Sequence, residues 1–153
     1  MDFYINDDTA WLRKAVRRVV NIVVAIACGW FLVYGFGEQV LISGNSMQPQ
    51  LSAQDVVLMN RIIYVTGTPD RFDVVVFERE DGKKNVKRII GLPGETVQIR
   101  DNRVYINGEP LKEDKMGEVS LAGRAADPVR LGEKEYFLLG DNRGSSEDSR
   151  FPN

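Results

Sequence analysis

Ile42-Ser43-Gly44-Asn45-Ser46-Met47-Gln48-Pro49-Gln50-Leu51 divides the sequence into two kinds of polypeptide. Before it runs one long apolar stretch. After it the pattern is that of short strands. Ser46 falls between a Gly-Asn turn signal and a Met-x-Pro, which puts its hydroxyl on a bend rather than inside a regular element. Alone, the stretch describes an ordinary turn, since most serines beside Gly and Asn only complete one.

Upstream, Val40-Leu41-Ile42 reads as a strand leading into the bend, and Gly37 to Gln39 as a short linker. From Val19 to Phe36 no residue is charged. These roughly 18 residues span about 27 Å as a helix, close to the hydrocarbon thickness of a bilayer. Trp30 and Tyr34 near the far end suit a membrane interface, and Arg13, Lys14, Arg17 and Arg18 flank the near end. A buried helix of a soluble protein fits poorly, because the run is apolar on every side. A cleaved signal peptide fits poorly too, because large residues continue to Phe36. The reading is an uncleaved anchor over 19–36. Residues 1–18 stay in the cytoplasm by the positive-inside rule, and 40–153 form an extracytoplasmic domain. Met1 to Ala10, short and acidic, is expected to be mobile.

Downstream, strands are expected over Asp55–Met59, Phe72–Phe77, Asn85–Ile90, Thr96–Arg100, Arg103–Ile106 and Tyr136–Leu139, with a short one at Tyr64–Thr66. Asn107-Gly108 is the strongest hairpin signal. Leu111 to Arg130 loses periodicity and reads as a long surface loop or small insertion. The fold class is therefore mainly β behind a single N-terminal transmembrane helix.

Composition narrows the chemistry. The 153 residues include 20 basic and 22 acidic ones, so no overall basic field points to nucleic acid. There is no histidine. That removes Ser-His-Asp and Cys-His triads and any imidazole-bound zinc, and no metal or cofactor is expected. The single Cys28 lies in the apolar run and behaves as a small apolar side chain. A nucleophile activated near neutral pH then needs Lys, Asp, Glu or Tyr as its base. Lys87 is the candidate, in a strand where Val86, Ile89 and Ile90 should be buried and Arg88 should face the other way. A lysine at a solvated edge is the commoner case. A free lysine titrates near 10.4, so fewer than about one in a thousand is neutral at pH 7, and burial among apolar groups is what would lower that value.

Three motifs together, Ser46-Met47-x-Pro49-x-Leu51, Lys87-Arg88-Ile89-Ile90-Gly91-Leu92-Pro93-Gly94-Glu95 and Gly140-Asp141-Asn142-Arg143-x-x-Ser146-x-Asp148-Ser149-Arg150, resemble bacterial type I signal peptidase. They occur in that order behind a membrane anchor. The resemblance implies an antiparallel β-rich catalytic domain and a serine/lysine-dyad endopeptidase of the cell membrane. Its partners would be membrane lipid and the signal peptides of exported preproteins, cleaved through an acyl-enzyme. Ser46 matches the nucleophile and Lys87 the general base. Ser146 matches a serine that helps orient the lysine amine. Asp148 with Arg150 matches a charged pair that braces the site, and Asp141 with Arg88 suggests a second.

Some family members carry a hydroxyl two residues before the nucleophile as an oxyanion donor; here that position is Gly44, leaving the Ser46 N–H as first donor. Ile42, Met47, Leu51 and Val86 are the candidates for lining pockets that accept small substrate side chains, and each is equally well read as core. Substrate is expected to add as a strand beside Val40–Ser43. The family pattern continues for another strand or two past Asp-Ser-Arg, whereas this sequence stops at Phe151-Pro152-Asn153. The expectation is a fragment lacking its last strands. The alternative function is a catalytically incomplete relative that only binds peptide at the membrane. Self-cleaving repressor-type proteases share the dyad, but an anchor stands where their DNA-binding segment would be.

Overall fold

A computed structural model describes residues 10–61, 63, 67–79 and 82–151. Helix α1 spans Ala10–Phe36, 27 residues or about 40 Å. It starts well before the apolar run because Ala10 to Arg18 contains no helix breaker; charge marks where the apolar stretch begins, not where the helix does. Its large apolar side chains, among them Trp11, Ile26 and Phe31, stand exposed, so α1 shares no core with the rest of the chain. It is long and apolar enough to cross a membrane.

No linker follows. Strand β1, Gly37–Leu41, begins where α1 ends, which corrects the reading of 37–39 as a connector. A side chain at Gly37 would meet the Val33 carbonyl at 2.6 Å, so glycine permits the direct passage from helix to strand. β1 pairs antiparallel with β2, Val56–Asn60, with Val40 opposite Val57. β3 (Val74–Glu78) and β4 (Lys84–Gly91) form a hairpin, joined on the other side of β4 by β9, Phe137–Leu139. β5 (Thr96–Arg100), β6 (Arg103–Ile106), β7 (Glu109–Pro110) and β8 (Val129–Arg130) make a sheet in the order β7-β6-β5-β8. All strand pairs are antiparallel. The Asp101-Asn102 and Asn107-Gly108 turns have positive φ at both residues, the geometry that two-residue hairpins favour.

Two apolar clusters form. The larger gathers Ile90, Val97, Ile99, Val104, Val119, Ala125, Leu131, Phe137 and Leu139. The smaller gathers Val40, Ile42, Met47 and Val86, with Leu51, Val57, Met59 and Val76 against it. β4 contributes to both, Val86 to one and Ile90 to the other, and so fixes whatever lies between them. The stretch 111–130 is not the surface loop expected. It holds a 3-10 helix, Gly123–Ala126, and β8, and it buries Val119 and Ala125 in the larger core. It enters the core through single apolar residues and backbone bonds such as Val119 N–H to Asn102 O, which leave no periodic pattern. The expected strand at Tyr64–Thr66 and the acidic segment before Ala10 lie outside the described residues.

Candidate active site

β4 is buried continuously from Val86 to Gly91, so two adjacent cations are carried inside on opposite faces of one strand. Lys87 leaves only 3% of its surface to solvent. Its Nζ donates to Ser46 Oγ at 2.8 Å and to the Val86 carbonyl at 3.2 Å. The Ser46 bend is closed by Gln48 N–H to Asn45 O and Leu51 N–H to Met47 O, and pinned by Met47, 1% exposed, in the smaller core. Gly44 sits there at φ 133° with open space around it, so its role is backbone conformation rather than close approach.

Burial is the main influence on Lys87 and lowers its pKa. The Asp148 charge opposes this, Arg79 adds to it and Glu147 opposes it, with the net shift downward. Asp148 is a weak counter-ion because it is committed elsewhere. It accepts from Arg150 Nε at 2.7 Å, Arg150 Nη2 at 2.9 Å and the Gly140 N–H at 3.0 Å. Burial raises the Asp148 pKa, but these donors prevail and hold it below the ordinary carboxylate value. A buried lysine without its own carboxylate, hydrogen-bonded to a serine, has the chemistry of a general base.

Arg88 meets the opposite fate. Its Nε and Nη2 grip both oxygens of Asp141 at 2.7 Å, Nη1 donates to the Phe72 carbonyl and Nη2 to Gln50 Oε1, each at 2.6 Å. The Asp141 carboxylate raises the Arg88 pKa and keeps the guanidinium charged. The expected Arg88–Asp141 and Arg150–Asp148 pairs are therefore both present, and both are buried.

Gly140 brings the third motif against the Ser46 bend: a methyl group there would meet the Ser46 carbonyl at 2.5 Å and also strike Ser146. Ser146 is thus brought beside the site; among the described residues its buried Oγ makes no well-formed hydrogen bond, to Lys87 or otherwise, though its hydroxyl helps to lower the Asp148 pKa. Ile42, Met47 and Val86 are buried and Leu51 partly so, all in the smaller cluster beneath Ser46.

Sequence reasoning missed three contributors. Asp114, within the unpatterned stretch, takes both terminal nitrogens of buried Arg143 at 2.7 and 2.8 Å, while Arg143 Nε holds the Gly140 carbonyl. Gln50 caps Arg88 from the Ser46 loop. Asn142 donates from its backbone to Ser46 O and from its side chain to Asn45 O. Gln50 and Asn142 lay inside recognisable motifs, and their polarity was the only local sign; Asp114 carried none.

The family described as "Signal peptidase, peptidase S26" matches residues 14–152. Signal peptidase I T of Bacillus subtilis is 37% identical over 140 residues, covering 84% of this chain and 72% of its own. Signal peptidase I of Bacillus amyloliquefaciens is 34% identical, covering 90% and 80%. A crystal structure of a signal peptidase I from Enterococcus faecalis aligns with 55% of this chain and 86% of its own, at 37% identity and a TM-score of 0.47.

Proposed function

This chain belongs to the signal peptidase family, peptidase S26, a family of serine endopeptidases, and we propose that it cuts signal peptides from exported preproteins with a Ser46–Lys87 dyad. The observation that carries the dyad is the 2.8 Å contact between Lys87 Nζ and Ser46 Oγ, made by an amine whose pKa burial has lowered. Neutral Lys87 takes the Ser46 proton as Oγ attacks the scissile carbonyl. The oxyanion is received by the Ser46 N–H. Collapse expels the amino terminus of the mature protein, which takes the proton from Lys87. The signal peptide is left as an ester on Ser46. Lys87 then takes a proton from a water that attacks the ester; as the ester C–O bond breaks it returns that proton to Ser46 Oγ, and the signal peptide leaves as a carboxylic acid that ionises in solvent.

Helix α1 serves as the membrane span. The cluster Arg13, Lys14, Arg17 and Arg18 keeps its start in the cytoplasm, and the β-rich part works on the outer face. Because β1 follows α1 directly, the bend carrying Ser46 lies close to the lipid surface, where an emerging signal peptide would arrive. Only β2 pairs with β1 among the described strands, which leaves an edge for an added substrate strand. Ile42, Met47 and Val86, with Leu51 packed against them, belong to one apolar cluster, and pockets lined by these residues would suit small substrate side chains. Arg88–Asp141 and Asp148–Arg150 brace the surrounding loops, with Ser146 packed against Gly140.

The test is preprotein cleavage in detergent or lipid by the parent, Ser46→Ala and Lys87→Met. Loss of either group lowers kcat by at least about 10² to 10⁴. If both variants cut at the parental rate, the dyad is wrong.

A further inference from the structure

Two hydrogen bonds from one residue hold the peptide units on either side of Ser46. The Asn142 N–H donates to the Ser46 carbonyl at 3.0 Å. The Asn142 side-chain Nδ2 donates to the Asn45 carbonyl at 3.2 Å. The second bond bears directly on the reaction. The Asn45 carbonyl and the Ser46 N–H belong to the same peptide unit, and in a trans peptide they lie in one plane and point in opposite directions. Whatever fixes the Asn45 oxygen therefore fixes the direction of the Ser46 N–H. A donor on the oxygen also polarises the unit and makes its N–H a better donor.

Among the described residues, no acceptor takes the Ser46 N–H. The Asn45 oxygen has a second donor, Gln48 N–H at 3.2 Å, but that bond lies within the turn and moves with it. Asn142 instead ties the plane to the end of β9, where Asp141 and Gly140 are held by Arg88 and Asp148. The tie matters because Gly44, at φ 133°, and exposed Asn45 offer little steric resistance to rotation of this unit.

We propose that Asn142 is a positioning residue for the oxyanion site, its side-chain amide locking the Asn45–Ser46 peptide plane so that the Ser46 N–H is aimed before substrate arrives. The proposal rests on Ser46 being the nucleophile. It adds a role for the Asn142 side chain, which bonds neither Ser46 Oγ nor Lys87 Nζ.

Asn142→Leu keeps the branched side-chain shape and removes the donor, while the backbone bond to Ser46 O survives. Asn142→Ala is the second variant, should leucine disturb the fold. Losing a whole oxyanion donor costs about 10² to 10³ in kcat; here the donor remains and only its aim is loosened, so kcat falls about tenfold. KM and the pH at which activity switches on stay unchanged. A substrate-like peptide aldehyde, whose hemiacetal oxygen would occupy the oxyanion site, binds about tenfold more weakly, and the carboxylate product peptide binds as before.

Parental kcat in both variants overturns the proposal. So does equal weakening of aldehyde and product, which would make Asn142 merely structural. Ser46→Ala and Lys87→Met, assayed alongside, judge the dyad separately. If they are inactive while Asn142→Leu is unimpaired, the dyad stands and the role of Asn142 falls.

Discussion

Lys87 and Arg88 are neighbours on one strand, and both are buried, yet their surroundings treat charge in opposite ways. On the Arg88 face a bidentate Asp141, a carbonyl and Gln50 take up the guanidinium. On the Lys87 face stand a hydroxyl and a carbonyl, and the carboxylate that acts on it most, Asp148, is already bound to Arg150. Burial with a dedicated anion preserves a cation, whereas burial without one favours loss of the proton. The strand thus holds a compensated guanidinium and an uncompensated amine one residue apart.

The largest expected effect comes from making the faces alike. Lys87→Arg places a guanidinium that cannot deprotonate where no free carboxylate waits. Cleavage falls by about 10³ or more, the loss of a general base, and raising the pH does not restore it. Recovery of activity in alkali would show that something other than an amine at position 87 moves the proton.

Stripping Arg88 of its anion comes next. Asp141→Asn leaves a buried guanidinium uncompensated, and unfolding in denaturant should show a loss of about 3–5 kcal/mol. An unchanged midpoint would mean that Gln50 and the Phe72 carbonyl suffice, and the contrast between the faces would weaken.

The smallest effect sharpens the Lys87 side. Only the neutral amine accepts a proton, so activity rises with pH as Lys87 passes through its lowered pKa, below the ordinary lysine value of 10.5. Arg79 pushes that pKa down and pairs with Glu147 at 3.3 Å. Arg79→Gln removes the push and releases the Glu147 charge, so the acid limb moves to higher pH. Glu147 is largely solvated and screens the pair, so the rate on that limb drops only about two- to threefold, with the plateau intact. A shift to lower pH in the kcat profile would reverse the assigned sign.

Hairpins were legible because they are local. Thr96–Arg100 and Arg103–Ile106 occur where alternation put them, on either side of an Asp-Asn turn. α1 runs back to Ala10, beyond the uncharged run, because charged side chains do not end a helix; 37–39 was misread because a glycine was taken for a linker. Residues 111–130 were misread because Val119 and Ala125 enter the core singly, without a period to announce them. Ser46 and Lys87 could be nominated from motifs. Asp114 could not, because its value depends on an arginine 29 positions away.

By itself, the sequence determined which chemistry was possible: with no histidine a lysine had to be considered as the base, and an unbroken apolar run had to be kept from water. Those are properties of side-chain types, present before any contact forms. Tertiary structure decided which of two adjacent cations would stay paired. Asp141 reaches Arg88 from 53 residues away, and Ser46 meets Lys87 from 41. Acidity depends on what surrounds a group in space, and the chain acquires those surroundings only by folding.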